Sequence, residues 1–278
     1  MRIALAIVAG LAVLVVAGVA AGAALTSSTA GGGDVPAAPA TSPTAVPTTG
    51  QPRLTPGQTV CQGVLHIPSP GEPRVIPPEY TQQREVLGFA IVGGPAVPAE
   101  AFDAAVATIE EVFEDPALRQ PLVDQGAYVV IAEKGQGVLE LPEFRCLEKE
   151  LGRAFSDHVC GIADRADYPL VTVNAADMVG DREGPCGGVN VLYHELGHLV
   201  QGWVLSSADY IEIRVLYQAA LDSGAYRGAY ASRNANEYFA EGTMAYFDGD
   251  PATNLDRDWL RRNDPNLLVL LEQIYGPR

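Results

Sequence analysis

His194-Glu195-Leu196-Gly197-His198 forms an HExxH pattern, which on a helix is an arrangement for holding a metal ion. At 100° per residue the two imidazoles lie about 40° apart on one helical face, so both can converge on a single ion. Leu192, Leu196, Leu199 and Trp203 fall on the opposite side and form the apolar stripe that buries such a helix. Glu195 lies about 100° round from His194, beside the coordination position left open, where a carboxylate can take a proton from water. A hydrolytic zinc site uses three protein ligands and a water. The other histidines, His66 and His158, lie near a polar tether and beside Cys160, and read as solvated or hydrogen-bonded bystanders. The extended pattern HExxHxxGxxH is also broken, because Gln201 and Val204 occupy the places that need Gly and His. The third ligand is therefore expected to be a carboxylate.

Asn236-Glu237-Tyr238-Phe239-Ala240-Glu241 supplies a candidate pair. Glu237 and Glu241 are one helical turn apart and point the same way from a second helix. A competing role exists for Glu237: with Asn234 as the cap it stands at the third helical position, where Glu is an ordinary capping partner. Gly197 costs about 1 kcal/mol relative to Ala inside a helix, which predicts that another backbone passes close to it.

YHELGHLVQ at 193–201 and YASRNANEYFAEG at 230–242 together resemble the catalytic domain shared by anthrax lethal factor and the Pro-Pro endopeptidases. The resemblance runs over roughly residues 75–278 and is specific at these two motifs. It implies a zincin-like fold, peptide-bond hydrolysis and one Zn2+. It also implies residue roles: His194, His198 and Glu237 as metal ligands, Glu195 as the base, and Glu241 as a carboxylate supporting a ligand histidine from outside. Tyr230, seven residues before Glu237, matches a tyrosine that stabilises the oxyanion in that family, with Tyr193, Tyr226 and Tyr238 as rival phenols. The substrate is expected to lie as an added strand on a sheet edge, for which Leu170–Asn174 is the candidate.

The elements that must position these residues read as strands first and helices later, an α+β order. Glu85–Val92 and Ala127–Ala132 are β-branched runs. Between them Phe102, Val106, Ile109 and Phe113 recur at helical spacing after Pro98. Phe144, Leu147, Leu151 and Phe155 mark another helix, and Pro169–Asn174 a strand. Helices are then expected over Val189–Val204, Ala208–Leu221, Asn236–Phe247 and Pro265–Ile274, the last capped by Asp264.

The 278 residues carry 34 acidic and 18 basic side chains, a net charge of −16, so a phosphate backbone would be repelled and nucleic-acid binding is disfavoured. Residues 3–25 hold no charged side chain and follow Arg2, which reads as a signal peptide, with Ala21-Gly22-Ala23 as a cleavage site, or as an uncleaved membrane anchor. Residues 26–58 are an Ala/Pro/Thr/Ser/Gly tether that cannot bury a core, leaving 59–278 as the catalytic domain. The expected location is outside the cytoplasmic membrane of a bacterium, with contact to the membrane only through the N-terminal segment. Cys61, Cys146, Cys160 and Cys186 all follow that segment, where disulfides form. Cys146 with Cys160 and Cys61 with Cys186 is the favoured pairing, since the first closes a short loop and the second pins the start of the domain. The expected partner is a peptide or protein substrate. Two other functions fit the same chain: a catalytically inert zincin-like binding module of the cell envelope, and a zinc amidase acting on cell-wall peptide.

Overall fold

A computed structural model describes residues 76–145, 159–164, 169–247, 249 and 253–278. The chain enters a five-stranded sheet through a hairpin, β1 (Gln82–Val86) and β2 (Phe89–Gly93), where sequence reading anticipates one strand over Glu85–Val92. The interruption is the turn at Leu87 and Gly88, both at positive φ (50° and 89°), the geometry of a two-residue hairpin loop. A side chain at Gly88 would also run into Val123, with Cβ 2.8 Å from Cγ1. Helices α1 (Ala99–Val112) and α2 (Pro116–Asp124) lead to β3 (Tyr128–Ala132). Next come β4 (Gly161–Asp164) and β5 (Leu170–Asn174), which runs into the short α3 (Ala175–Met178). The rest is helical: α4 (Leu192–Trp203), α5 (Ser207–Ser223), α6 (Ala235–Phe247), α7 (Arg257–Asn263) and α8 (Pro265–Tyr275). The α+β class stands, as a small mixed sheet followed by a helical half. Among the described residues no helix is long and apolar enough to cross a membrane.

The strand order is β1-β2-β3-β5-β4, with β2, β3 and β5 parallel and the two outer strands antiparallel to their neighbours. Leu170–Asn174 is thus an inner strand, a correction to its expected place at the edge; the edge next to it is β4. Alternation along the inner strands divides the core in two. Phe89, Ile91, Val129, Ile131, Val171 and Val173 face α1 and the Leu192/Leu196/Leu199 stripe of α4, all buried. Ala90, Val92, Tyr128, Val130 and Leu170 face the other way, onto Val138, Leu139, Leu141 and Phe144. On that side Glu143 is wholly buried and accepts hydrogen bonds from the hydroxyls of Tyr80 (2.5 Å) and Tyr128 (2.7 Å); burial pushes its carboxyl up. A third cluster, with Tyr238, Phe239, Tyr246, Leu260, Leu267 and Leu271, joins α6 to α7 and α8. Asp264 caps α8 as expected, accepting from Leu267 N–H at 3.2 Å.

The disulfide observed is Cys160–Cys186, with Cα atoms 5.4 Å apart, which replaces both favoured pairings. Loop closure was the wrong guide: β5 returns the chain from β4 to α3, which brings the loop ahead of α4 back over the start of β4. Cys61, Cys146, His66, His158, the Phe144–Phe155 helix beyond residue 145 and the N-terminal segments lie outside the described residues. Asp177 of α3 holds the same loop. It is 1% exposed and accepts from the N–H groups of Cys186 (3.0 Å) and Gly188 (2.9 Å). Burial pushes its carboxyl up to about 6, against the pull of those N–H groups.

Removing an acceptor that satisfies buried N–H groups costs about 1–3 kcal/mol. Asp177→Ala should therefore lower the thermal midpoint by roughly 3–10 °C in a domain of this size, measured by calorimetry; an unchanged midpoint would show that the disulfide and the other contacts hold the loop without Asp177.

Candidate metal and catalytic site

Helices α4 and α6 meet at Gly197, where a Cβ would lie 3.0 Å from the Thr243 side chain and 3.1 Å from the Ala240 Cα. This is the close approach that a mid-helix glycine predicts, and it lets the polar faces of the two helices touch. Asn234 caps α6, its Oδ1 accepting from the N–H groups of Asn236 (2.9 Å) and Glu237 (3.0 Å). The Glu237 side chain is not spent on the cap but reaches α4. Its Oε2 lies 3.2 Å from His194 Nε2 and 3.2 Å from His198 Nε2. Glu241 Oε1 lies 2.9 Å from His194 Nδ1 on the far side of that ring. His194, His198, Glu237 and Glu241 are buried, at 3–7% exposure.

The donor chemistry fits a metal ion. One ligand atom from each of His194, His198 and Glu237 lies within 4.8 Å of the other two. With Nδ1–H of His194 given to Glu241, Nε2 presents a lone pair to a carboxylate oxygen, a contact that only a cation or an added proton makes favourable. Protein groups alone resolve it by protonation. Burial pulls His194 down, but hydrogen bonds to Glu237 and Glu241 prevail and hold it up at about 10. Burial raises Glu237, but its bonds to His194 and His198 prevail and hold it well below the usual carboxylate range.

Glu195 sits beside this cluster, 6% exposed, and rests against the start of β4: a Cβ on Gly161 would lie 2.8 Å from Glu195 Oε1 and 2.9 Å from its Cγ. Of the four candidate phenols, only Tyr230 faces the His194/His198/Glu237 cluster. Its ring centroid is 6.0 Å from that of His194. Burial and the nearby carboxylates of Glu237 and Glu195 push its hydroxyl up, so it remains a donor across the working pH range. The other three are occupied elsewhere: the Tyr193 hydroxyl donates to Glu111 at 2.5 Å, and those of Tyr226 and Tyr238 to Asp264 at 3.1 and 2.6 Å. Two neighbours escape sequence reading. Arg233 lies over the Tyr230 ring, its guanidinium carbon 4.5 Å from the centroid; its place next to the cap Asn234 was the available signal. Gly161 was hidden, since a glycine after a cysteine reads as a turn.

No protein-family model and no curated protein sequence matches the chain. Among solved structures it is similar to a Pro-Pro endopeptidase from Paenibacillus alvei, with 20% identity and a TM-score of 0.47, over 66% of this chain and 97% of that one.

Because Glu237 and Glu241 hold the His194 imidazole up and favour its protonated form, whereas a ligand imidazole must be neutral, metal uptake should expel a proton. Titration calorimetry with Zn2+ at pH 7, in two buffers of different ionisation enthalpy, should show release of about one proton per ion. Glu241→Ala should weaken binding by roughly 10–100-fold through loss of the His194 support. Binding enthalpies that do not depend on the buffer would contradict this charge state.

Proposed function

We propose that the protein is a zinc-dependent endopeptidase that hydrolyses peptide bonds by attack of water, and that it acts outside the bacterial cell membrane. The observation that carries the reading is the convergence of His194, His198 and Glu237 with Glu195 beside them. A module that only binds has no use for a carboxylate at Glu195. The set of two imidazoles and one carboxylate, three protein ligands where a hydrolytic zinc takes a water as its fourth, suits Zn2+. When bound, the ion supplies Lewis acidity that lowers the pKa of water towards neutrality and polarises a carbonyl. The resemblance of the two motifs to the lethal factor and Pro-Pro endopeptidase group supports the same assignment.

The chain's own residues divide the remaining work. Glu195 accepts the proton of the attacking water and returns it to the leaving amine. Tyr230 donates from its phenol to the oxygen that gains charge in the tetrahedral state, a role worth roughly 3 kcal/mol when such a donor is lost. Glu241 fixes the His194 tautomer so that Nε2 carries the lone pair. An extended peptide would pair with the outer edge of β4, on which no strand pairs among the described residues. The uncharged run at residues 3–25 supports export.

Incubation of the zinc-loaded protein with a peptide library, read by mass spectrometry, should yield internal cleavage. Glu195→Gln should keep the metal and lose at least about a hundredfold in kcat. Tyr230→Phe should lower kcat roughly tenfold to a thousandfold with KM and zinc content nearly unchanged, since the contact strengthens in the transition state. Full activity in Glu195→Gln would refute the mechanism. Cleavage confined to cell-wall peptides would turn the reading to an amidase.

A further inference from the structure

Beyond the ligands, a chain of contacts ends on Glu195. We infer that Gly161, held in place by the Cys160–Cys186 disulfide, is a positioning residue for the catalytic base. This rests on the assignment of Glu195 as that base.

Side chains alternate between the two faces of β4. Ile162 packs with the sheet face turned away from α4, and its N–H donates to Thr172 Oγ1 at 3.1 Å. Gly161 and Ala163 therefore take the opposite face, the one that α4 covers, and Ala163 packs in that core. The face of the edge strand turned to the active-site helix thus carries only a hydrogen and a methyl group. At Gly161 there is no space for more. A Cβ would lie 2.8 Å from the Glu195 carboxylate oxygen and 2.5 Å from the Thr172 carbonyl oxygen, so even a methyl group has to push the carboxylate as well as the strand backbone.

Covalent and polar ties oppose movement of the strand. Cys160, the residue before Gly161, is bonded to Cys186, and both are buried, at 3% and 1% exposure. Cys186 is gripped in turn by Asp177. Four residues on, Asn190 anchors the same loop to α1 through Thr108 Oγ1 (3.0 Å) and accepts from the Leu192 N–H at the start of α4 (3.1 Å). One braced loop therefore fixes both the strand that Glu195 rests on and the helix that carries Glu195. The gap between them is set on both sides, which is what a base needs when a misplacement of 1 Å can cost about a hundredfold in rate.

The test uses the full-length, zinc-loaded protein and the library peptide that the wild type cleaves fastest. Gly161→Ala should retain one zinc per chain and lose roughly ten- to a hundredfold in kcat. The decisive comparison is with Glu195→Gln: if Gly161 acts through the base, Gly161→Ala should change the residual rate of Glu195→Gln less than about twofold, because coupled sites are not additive. Should Gly161→Ala fail to fold, the double variant Cys160→Ser/Cys186→Ser carries the same test, with an expected loss of about three- to thirtyfold in kcat at full zinc content. That loss should likewise disappear in the Glu195→Gln background. A wild-type rate in the single-site variant, or equal losses with and without the Glu195 carboxylate, overturns the inference while leaving the peptidase reading intact. No hydrolysis by the wild type sinks the peptidase reading itself, and this inference with it.

Discussion

Two buried imidazoles held 3.2 Å from one buried carboxylate oxygen, all three ligand atoms within 4.8 Å of one another, are the constraint around which this structure is arranged. Bringing His194, His198 and Glu237 out of water costs several kcal/mol per charge, and the protein meets that cost from the other faces of the same two helices. The Leu192, Leu196 and Leu199 stripe of α4 is fully buried against the sheet, at roughly 1.5–3 kcal/mol for each side chain. Tyr238, Phe239 and Tyr246 of α6 are buried in the helical half. The polar seam between α4 and α6 is thus clamped by two apolar cores, one on each side. Gly197 sets how closely the clamp closes, since a Cβ there would stand 3.0 Å from Thr243 and 3.1 Å from Ala240 and would need the neighbours to give way.

Carboxylates are managed by the same means throughout this acidic chain. Asp264 accepts from the hydroxyls of Tyr226 and Tyr238 as well as capping α8; Glu143 accepts from Tyr80 and Tyr128; Asp177 accepts from backbone N–H groups. Among the described residues these three buried acids outside the site are each matched by hydrogen-bond donors. The consequence for the site is selective: these pairings take Tyr226 and Tyr238 out of contention as oxyanion donors and leave Tyr230, steadied by Arg233, facing the His194/His198/Glu237 cluster.

The helical site was legible in the sequence because 3.6-residue periodicity fixes relative directions without knowledge of the fold: the His pair, the Leu stripe and the Glu237/Glu241 pair all follow from it. Between-helix contact was legible at one point, Gly197, where a residue pays a local cost. What failed depended on non-local pairing or on weak local signals. The disulfide and the edge position of the sheet are set by strand order, which no spacing in the chain encodes. Strand β4, Gly-Ile-Ala-Asp, lacks a β-branched run; α2 is masked by Pro121 within it; and the β1–β2 hairpin turns at Leu87-Gly88 without Asn or Asp to announce it.

The account stands or falls on whether α4 and α6 together hold a metal. Elemental analysis of the purified protein, alongside His198→Ala and Glu237→Ala, tests this most directly. The wild type should carry close to one zinc per chain, and either substitution should remove it while leaving the far-ultraviolet circular dichroism spectrum unchanged. A metal-free wild type that takes up no added Zn2+, or full zinc retention in Glu237→Ala, would contradict the account.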